Sequence, residues 1–313
     1  MNWCSKVLTR YPNTVLKLGI SIVGAGRIGR ALGRRLREQG WRIHSVVTRS
    51  ESTARRAVRS IGGGSARGEL SQSIFSAPVI LIAVPESAIA EVVTRLASLG
   101  ETELRGKIAL HTSGALSSDV LVGLRSMGAA IGSIHPLQTF SGIGIPALEG
   151  RVFAIEGDAA AVRVARNMTR VLGGQPVQLS AASKPLYHAA AVMSAGHVLA
   201  LQETAVRILG SLGMKRQEAL KALLPLARQV LENLERVGPR AAWTGPLSRS
   251  DYDVIALHEE ALKSAPSEYL EAYRAVNRLA ARVLARDADG AIGELSRIST
   301  KSSSQSKVRG ANA

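Results

Sequence analysis

Four side chains suited to proton transfer or to holding a substrate stand out in the sequence. Ser113 and His135 each come shortly after an apolar run, and His135 precedes Pro136. Lys184 and His188 lie four residues apart, so a helix would place both on one face. An imidazole exchanges protons near neutral pH, whereas an ammonium group can protonate an alkoxide or hold a carboxylate.

These properties predict His135 and Lys184 as groups that handle a proton or polarise a carbonyl. Ser113 and His188 would orient a substrate. Two alternatives stay open from the sequence. Loop hydrogen bonding accounts for His135 equally well, and the stem of Lys184 could simply cover apolar surface.

The segment Gly24–Gly29, GAGRIG, has the spacing G-x-G-x-x-G. It follows the apolar run Leu18–Val23 and opens a helical segment, the context in which this spacing binds dinucleotides. Gly24 would permit a tight turn, Gly26 would let a pyrophosphate approach the backbone, and Gly29 would allow close helix–strand packing. The pyrophosphate would lie on free N–H groups at the helix start. A glycine-rich turn without a ligand is the alternative.

The residues that follow the second apolar run indicate which dinucleotide binds. Thr48, Arg49 and Ser50 contain no acidic side chain, although an NAD site usually places Asp or Glu here. Arg49 instead predicts NADP, because an arginine accommodates the 2′-phosphate; a solvent-exposed loop arginine is the alternative. The expected cofactor-binding residues are Gly24, Gly26, Arg27, Ile28, Gly29, Thr48, Arg49, Ser50, Val84 and Pro85.

A rigid polar turn, Thr244–Pro246, precedes Arg249 and Asp251. Arg249 could clamp an anionic substrate, or it could pair with Asp251 for structural reasons. Both interpretations stay open from the sequence alone.

The apolar pattern predicts the elements that position these residues. Short β-branched runs alternate with helical segments up to about residue 180, which predicts βαβ units and a mainly parallel, doubly wound α/β sheet of the Rossmann type. The runs are Leu18–Val23, Trp41–Val47, Pro78–Val84, Lys107–Leu110, Ala129–Ile134, Arg151–Ile155 and Pro176–Leu179.

Strand signals stop after residue 180. Residues 182–298 indicate helices only, and Lys184–Leu212 is apolar nearly all round, which predicts a buried central helix. Residues 299–313 are polar and low in complexity, which predicts a disordered tail. We therefore expect a nucleotide-binding domain over 1–181, an all-helical substrate and dimerisation domain over 182–298, and a tail.

Composition limits the class of protein. The 313 residues are 46% hydrophobic and 20% charged, which excludes wholesale disorder. The net charge of +16 comes from scattered arginines and aromatic residues make up 4%, so nucleic-acid binding is disfavoured. The longest aliphatic run, Val79–Val84, is too short to cross a membrane.

Cysteine and histidine usage limits the sites and the compartment. Cys4 is the only cysteine, so neither an internal disulfide nor a cysteine zinc site can form. The six histidines have no acidic cluster beside them, and we predict no metal site. The first residues lack the apolar region of a signal peptide. We expect a soluble protein of the cytoplasm.

Six motifs together carry a family resemblance. GAGRIG, PES, HTSGAL, SIHPLQTF, SKPLYHAAAV and TGPLSRSD occur in this order between residues 18 and 285. In this combination the chain resembles proteins that join a Rossmann-like NADP-binding domain to the domain of unknown function 2520. The resemblance implies the fold of the 6-phosphogluconate dehydrogenase superfamily, with an all-helical C-terminal domain.

Relatives in that superfamily add roles by analogy. Lys184 matches a lysine that β-hydroxyacid dehydrogenases carry at the start of the central helix, and His188 stands where they carry an asparagine. Ser113 and His135-Pro136 resemble the serine and the His-Pro pair at successive strand ends of prephenate dehydrogenases. Fold analogy does not by itself assign a reaction.

We expect an NADP(H)-dependent oxidoreductase that transfers hydride to or from a small carbonyl, imine or hydroxy compound. The substrate could be anionic, with Arg249 as its contact, and the resemblance implies a homodimer. The alternative is a redox sensor or regulatory protein that binds NADP(H) without turnover.

Overall fold

The computed structural model describes residues 18–310 of the chain, with side chains up to residue 300. The chain forms two compact units, Met1–Ala195 and Gly196–Ala313. The N-terminal segment on which the targeting and cysteine predictions rest, including Cys4, lies outside the described residues. None of the described helices is long and apolar enough to cross a membrane.

The first unit is built on one eight-stranded sheet. The strands are β1 (Gly19–Val23), β2 (Arg42–Val47), β3 (Ser65–Arg67), β4 (Val79–Ile82), β5 (Ile108–His111), β6 (Ala130–Pro136), β7 (Val152–Gly157) and β8 (Gln175–Gln178). Their order is β3-β2-β1-β4-β5-β6-β7-β8. All neighbours pair in parallel except β6 and β7, which are antiparallel. The predicted doubly wound, mainly parallel sheet is therefore confirmed.

All seven predicted runs form strands, and β3 is an additional one. β4 is buried at every position, as its continuous apolar run predicts for a strand covered on both faces. Ile22 and Leu81 pack into the core on one face, whereas Ile80 and Ile82 pack into the core on the other. β3 was missed because its three residues, Ser-Ala-Arg, form neither an apolar run nor a β-branched one.

Six α-helices belong to the first unit within the described residues. They are α1 (Arg27–Glu38), α2 (Glu51–Ile61), α3 (Ile89–Leu99), α4 (Val122–Arg125), α5 (Ala159–Val171) and α6 (Lys184–Val192). α1 begins after its N-cap Gly26, and α2 is capped by the Ser50 side chain. α1 buries Leu32 and Leu36 against the sheet and turns its arginines outward, the amphipathic pattern of a surface helix.

The described part of the second unit contains helices and no strand, as predicted. They are α7 (Val198–Ser211), α8 (Arg216–Val237), α9 (Pro239–Ala242), α10 (Tyr252–Leu262), α11 (Ser267–Leu284) and α12 (Ala288–Gly310). A small core forms where α10, α11 and α12 pack together, around Ile255, Ala281, Ala291 and Leu295.

The predicted buried central helix needs correction. A π-helical turn, Met193–His197, separates α6 from α7, and most apolar side chains of this stretch are exposed, with Leu199 at 71%. The boundary between the units lies at residues 195 and 196 instead of 181 and 182, because Lys184 and the turn that follows it pack within the first unit. An apolar pattern indicates that a helix surface is buried, but it does not indicate whether the same chain or another chain buries it.

The predicted disordered tail is also corrected, because α12 continues through Ser299 to Gly310. Serine, lysine and glutamine are tolerated in helices, and no glycine or proline interrupts the sequence between 294 and 309. Residues 311–313 lie outside the described part of the chain.

Candidate functional site

The turn between β1 and α1 has the geometry that its three glycines predict. Gly24 has a φ of +86°, and a Cβ there would lie 2.6 Å from the Ala83 carbonyl oxygen. A Cβ on Gly29 would lie 2.3 Å from the Gly24 carbonyl oxygen. Both positions therefore require glycine, the first for the turn and the second for close packing of helix and strand.

Gly26 differs from its two neighbours because the space beside it is open. A Cβ there would meet no atom of the described chain within 4 Å. Gly26 is the N-cap of α1, no side chain caps it, and the first turn contains no acidic residue. Free N–H groups and the positive end of the helix dipole suit an anion such as a pyrophosphate.

Two expected cofactor residues on α1 have partners within the protein. The Arg27 guanidinium donates to the Phe140 carbonyl oxygen at 3.3 Å, and the Ile28 side chain packs against the core. Ile28 is partly buried, so both its backbone and the free part of its side chain can contact a ligand.

The loop after β2 combines capping with an exposed arginine. Ser50 caps α2, since its hydroxyl accepts from the Thr53 amide at 3.4 Å and donates to the Thr53 hydroxyl at 2.9 Å. Thr48 donates its hydroxyl proton to the Ser50 carbonyl oxygen at 2.8 Å. Arg49 is exposed and forms no hydrogen bond with a described residue. Thr48 and Ser50 therefore shape the loop on which Arg49 lies.

A second arginine lies at the same sheet edge and was missed in the sequence. Arg67 ends β3, stands in register with Val47 of β2, and is exposed. Its carbonyl oxygen accepts from the Thr48 amide at 3.1 Å. No signal pointed to it, because the register of β3 depends on pairing between distant residues.

The loop after β4 approaches the glycine turn. Val84 is adjacent to Gly24, and its Cγ1 would lie 2.6 Å from a Cβ placed there. Pro85 is exposed and precedes a short 3-10 turn, Glu86–Ala88. The Glu86 carboxylate accepts a short hydrogen bond from the Ser113 hydroxyl, which connects the β4 and β5 loops.

Ser113 and His111 form the interior of the loop after β5. The Ser113 hydroxyl accepts from the Ala115 and Leu116 amides at 3.2 and 3.0 Å. His111 Nδ1 accepts from the Ser113 amide at 3.2 Å, which leaves Nε2–H to donate to the Ser117 carbonyl oxygen at 3.1 Å. Burial, together with the charge of Lys184, lowers the pKa of His111 to about 4. His111 is thus a neutral anchor of this loop.

Lys184 lies at the start of α6 and is 1% exposed. Its Nζ donates to the Ser113 carbonyl oxygen at 3.0 Å and to the Ser133 hydroxyl at 2.7 Å. Burial lowers the pKa of Lys184 to about 8, and the charges of Glu156 and Glu86 oppose that decrease. The group remains an ammonium at neutral pH.

A buried carboxylate compensates this ammonium through Ser133. The Ser133 hydroxyl donates to Glu156 Oε2 at 3.3 Å. Glu156 also accepts from the Ser118 amide at 2.8 Å and from the Ser118 hydroxyl at 2.7 Å. Sequence reasoning missed Ser133 and Glu156, which lie on β6 and β7, because only the antiparallel pairing of these strands brings them together.

His135 lies on β6, one residue beyond the predicted end of that strand, among aromatic neighbours. Its Nδ1 and the Tyr187 hydroxyl are in hydrogen-bond contact at 2.9 Å, and the rings of Tyr187 and His188 both stand edge-on to it at 5.6 Å. Burial, then the nearby charges of His188 and Lys184, lower the pKa of His135 to about 4. Burial raises the pKa of Tyr187 to about 12.

Gly114 leaves a narrow space between the two imidazoles. A Cβ on Gly114 would lie 2.5 Å from His188 Nδ1 and 2.9 Å from His135 Nε2. His188 Nδ1 is buried without a hydrogen-bond partner among the described residues. Tyr187 was missed although it precedes His188 in the sequence, since a tyrosine on an apolar helix usually indicates packing.

The structure brings four of the predicted site residues into one cluster of the first unit. Lys184 bonds to the Ser113 backbone, and His135 contacts His188. The cluster can hold a neutral imidazole, a protonated phenol and an ammonium group together at neutral pH. Among the described residues, no group of three His, Cys, Asp or Glu side chains could hold a metal ion.

Arg249 lies in the second unit and pairs with Asp251, Nε to Oδ2 at 2.9 Å. The structure thus shows the second of the two interpretations that the sequence left open. The arginine is largely exposed.

Comparison with known proteins identifies two domains and a fold. The Rossmann-like domain family matches residues 11–136, and the domain of unknown function DUF2520 matches residues 151–280. No curated protein matches the chain.

Three solved structures illustrate the fold. A candidate NADP oxidoreductase from Bacteroides fragilis is 20% identical, with a TM-score of 0.68 over 84% of this chain and 97% of that chain. A protein from Thermotoga maritima is 23% identical, with a TM-score of 0.62 over 90% and 98%. A reductive aminase from Aspergillus terreus, in complex with NADPH and ethyl levulinate, is 17% identical, with a TM-score of 0.63 over 89% and 99%.

Proposed function

We propose that this chain, which combines a Rossmann-like domain with a DUF2520 domain, is an NADP(H)-dependent oxidoreductase. It would transfer hydride to or from a small carbonyl, imine or hydroxy compound. The observation that carries the proposal is the glycine turn. Positions 24 and 29 have no room for a side chain, and the open space beside Gly26 lets an anion reach the free N–H groups at the start of α1. The bound nicotinamide supplies the hydride chemistry.

The choice of NADP rests on two arginines at one sheet edge. Arg49 and Arg67 are both exposed at the ends of neighbouring strands. A guanidinium fork binds a phosphate dianion through paired hydrogen bonds. The fold is shared with the Bacteroides protein described as an NADP oxidoreductase and with the NADPH-bound reductive aminase, which supports the same cofactor here.

His135 is the proposed proton donor. At neutral pH its lowered pKa keeps the imidazole neutral, and the raised pKa of Tyr187 keeps the phenol protonated. When the Tyr187 hydroxyl donates to Nδ1, the imidazole carries its proton on Nε2, beside Gly114. Nε2–H then protonates the oxygen or nitrogen of the substrate while Tyr187 passes its proton to Nδ1, and a proton from solvent restores the Tyr187 phenol.

Burial of Lys184 favours a positioning role over the direct proton transfer expected from the sequence. Its ammonium group fixes the Ser113 carbonyl and the Ser133 hydroxyl. Its charge also disfavours protonation of His135. His188 would orient the substrate through its unpartnered Nδ1, which is the role that the sequence predicted for it.

A sensor that binds NADP(H) without turnover is the second candidate. Two observations favour it: Lys184 is 1% exposed, and the Ser113 hydroxyl is engaged within its loop and with Glu86. Two predicted catalytic groups are therefore bound to the protein itself.

The exposed apolar helical surface supports a homodimer as the working form. Leu199 and Leu201 on α7 and Leu231 on α8 are all more than two fifths exposed. Several large exposed apolar side chains on two neighbouring helices are typical of an interaction surface in soluble proteins. We propose a second copy of the chain as the partner, with the dimer acting in the cytoplasm.

The first experiment measures cofactor binding by calorimetry. The parent should bind NADPH at least tenfold more tightly than NADH. Gly26→Val should lower NADPH affinity at least 50-fold without lowering the melting temperature, because its side chain fills only open space. Gly210→Val places the same side chain at another open glycine and should bind NADPH like the parent. Absence of NADPH binding in the parent, or unchanged binding in Gly26→Val, contradicts the proposal.

The second experiment separates an enzyme from a sensor. NADPH oxidation is followed with a panel of ketones, keto acids, aldehydes with amines, and cyclic imines. Turnover that falls at least 100-fold in His135→Asn supports the enzyme, since one positioned proton donor contributes about 10²–10⁴ in rate. Tight NADPH binding without turnover of any panel member favours the sensor.

A further inference from the structure

The second unit contains a pocket of about 730 Å³ that the proposed reaction does not use. Its walls come from the turn before α10, the end of α11 and the start of α12. Small-molecule sites commonly occupy about 300–1,000 Å³, so the pocket has the size of a ligand site.

Two arginines give the pocket a positive character. Arg240 and Arg286 line it, and neither forms an ion pair with a described residue. The two carboxylates of the lining are already engaged. Asp287 accepts from the Gly290 amide at 3.0 Å, and Glu294 pairs with Arg297. Asp287 keeps its negative charge, because an amide is not a counterion, so the two arginines give the lining an excess of one positive charge.

Two aromatic side chains complete the recognition surface. Trp243 and Tyr252 line the same pocket and are half-buried. Aromatic rings pack well against flat apolar groups, and a guanidinium fork matches a carboxylate. A ligand with a planar ring and a carboxylate would satisfy both features.

The backbone of the pocket wall is strained at one residue. Ser250 lines the pocket with a φ of +60°, and no other non-glycine residue of the described chain has a positive φ. Glycine would adopt this conformation without strain. A strained serine kept in place of glycine indicates that its hydroxyl is used, as strained residues often are at ligand sites.

We propose that this pocket binds an aromatic carboxylate, held by Arg240 and Arg286 and packed against Trp243 and Tyr252. Arg249 pairs with Asp251 and does not line this pocket. The site goes beyond the proposed hydride transfer and does not depend on it.

Calorimetry on the full chain tests the proposal with 2-naphthoate, its neutral analogue 2-naphthamide, and inorganic phosphate. The carboxylate should bind at least tenfold more tightly than the amide and than phosphate. Arg240→Gln and Arg286→Gln should each weaken 2-naphthoate at least tenfold, the loss of one charged hydrogen bond. Arg278→Gln removes the same charge from an exposed site on α11 outside the pocket and should change binding less than twofold.

Two further variants keep the test independent of folding. Trp243→Leu should weaken 2-naphthoate and leave phosphate unchanged. Ser250→Gly should weaken it while the melting temperature stays at least as high as that of the parent, because glycine relieves the strain. Equal binding of carboxylate and amide, no binding of 2-naphthoate at millimolar concentration, or unchanged binding in both arginine variants overturns the proposal.

Discussion

The two units of this chain bury their apolar side chains to very different degrees. In the first unit, β4 is buried at every position and apolar clusters cover both faces of the sheet. In the second unit, the core is small and centred on Ile255 and Leu295, while Leu199 and Leu257 are 71% and 69% exposed. The first unit covers both faces of its sheet and leaves apolar side chains exposed mainly outside it, such as Ile143 and Leu186, whereas the second unit has a small core and exposes apolar side chains along most of its helices.

This difference separates what one chain can stabilise from what needs a partner. Exposed apolar surface costs free energy that association recovers, at about 25 cal/mol for each Å² buried. The two units should therefore respond differently to the same substitution, and the following predictions test that difference.

The largest effect is expected for a leucine of the sheet. Leu81→Ala removes a fully buried side chain from β4 and should lower the free energy of unfolding by about 4 kcal/mol. The matched change Leu199→Ala, on the exposed face of α7, should lower it by under about 0.5 kcal/mol in dilute solution. Urea unfolding at low protein concentration measures both values.

Self-association should also distinguish the two variants Leu81→Ala and Leu199→Ala. Sedimentation should show that Leu199→Ala weakens the dimer while Leu81→Ala, where it folds, leaves the association constant within a factor of three. A strong loss of stability in monomeric Leu199→Ala would mean that the second unit buries this surface within one chain, and the comparison would fail.

Buried charge is the next difference. Glu259 on α10 is 1% exposed and pairs with Arg274 at 2.6 Å. Glu259→Gln leaves the guanidinium without its counterion and should cost about 3 kcal/mol. Arg282→Gln breaks an exposed pair with Asp289 in the same unit and should cost under about 1 kcal/mol. Calorimetric unfolding measures both free-energy losses. Equal losses would show that the Glu259–Arg274 pair is no more shielded from water than the exposed Arg282–Asp289 pair.

Much of the fold followed from local patterns. β4 is the clearest case, because an apolar run buried on both faces stands out in a sequence. The strand β3 was not predictable, because it has only three residues and none of them is β-branched or strongly apolar. The exposure of α7 was also hidden, since an apolar helix looks the same whether its own chain or a second copy covers it.

The candidate site was predictable where chemistry follows a strand end or a helix face. Ser113, His135, Lys184 and His188 were found in this way. Glu156 was missed because its partner Ser133 lies 23 residues away on an antiparallel neighbour.

The buried ammonium of the first unit predicts a pH effect. The pKa of Lys184 is about 8 in the folded protein, against 10.5 for the ordinary side chain. Between these values the unfolded chain binds more protons, so the free energy of unfolding rises with pH. The rise from this group is at most about 3 kcal/mol.

Lys184→Met isolates that contribution. Urea unfolding between pH 7.5 and 10 should give a parent curve that gains stability relative to the variant as the pH increases. Glu156→Gln should move the start of the gain to lower pH, because the Glu156 charge raises the pKa of Lys184. Parallel curves for parent and Lys184→Met would show that the lysine pKa is not lowered by burial.

The smallest effect concerns the choice between NADPH and NADH, which we expect residues of the first unit to determine. Arg49→Ala and Arg67→Ala should each reduce the preference for NADPH over NADH about tenfold, or about 1.4 kcal/mol, by removing one phosphate contact. Arg59→Ala, in the last turn of α2, removes an equal charge from an exposed side chain and should change the preference less than twofold. Calorimetry measures this preference as the ratio of the dissociation constants for NADH and NADPH. A preference that survives the double variant Arg49→Ala/Arg67→Ala would place the selecting group elsewhere.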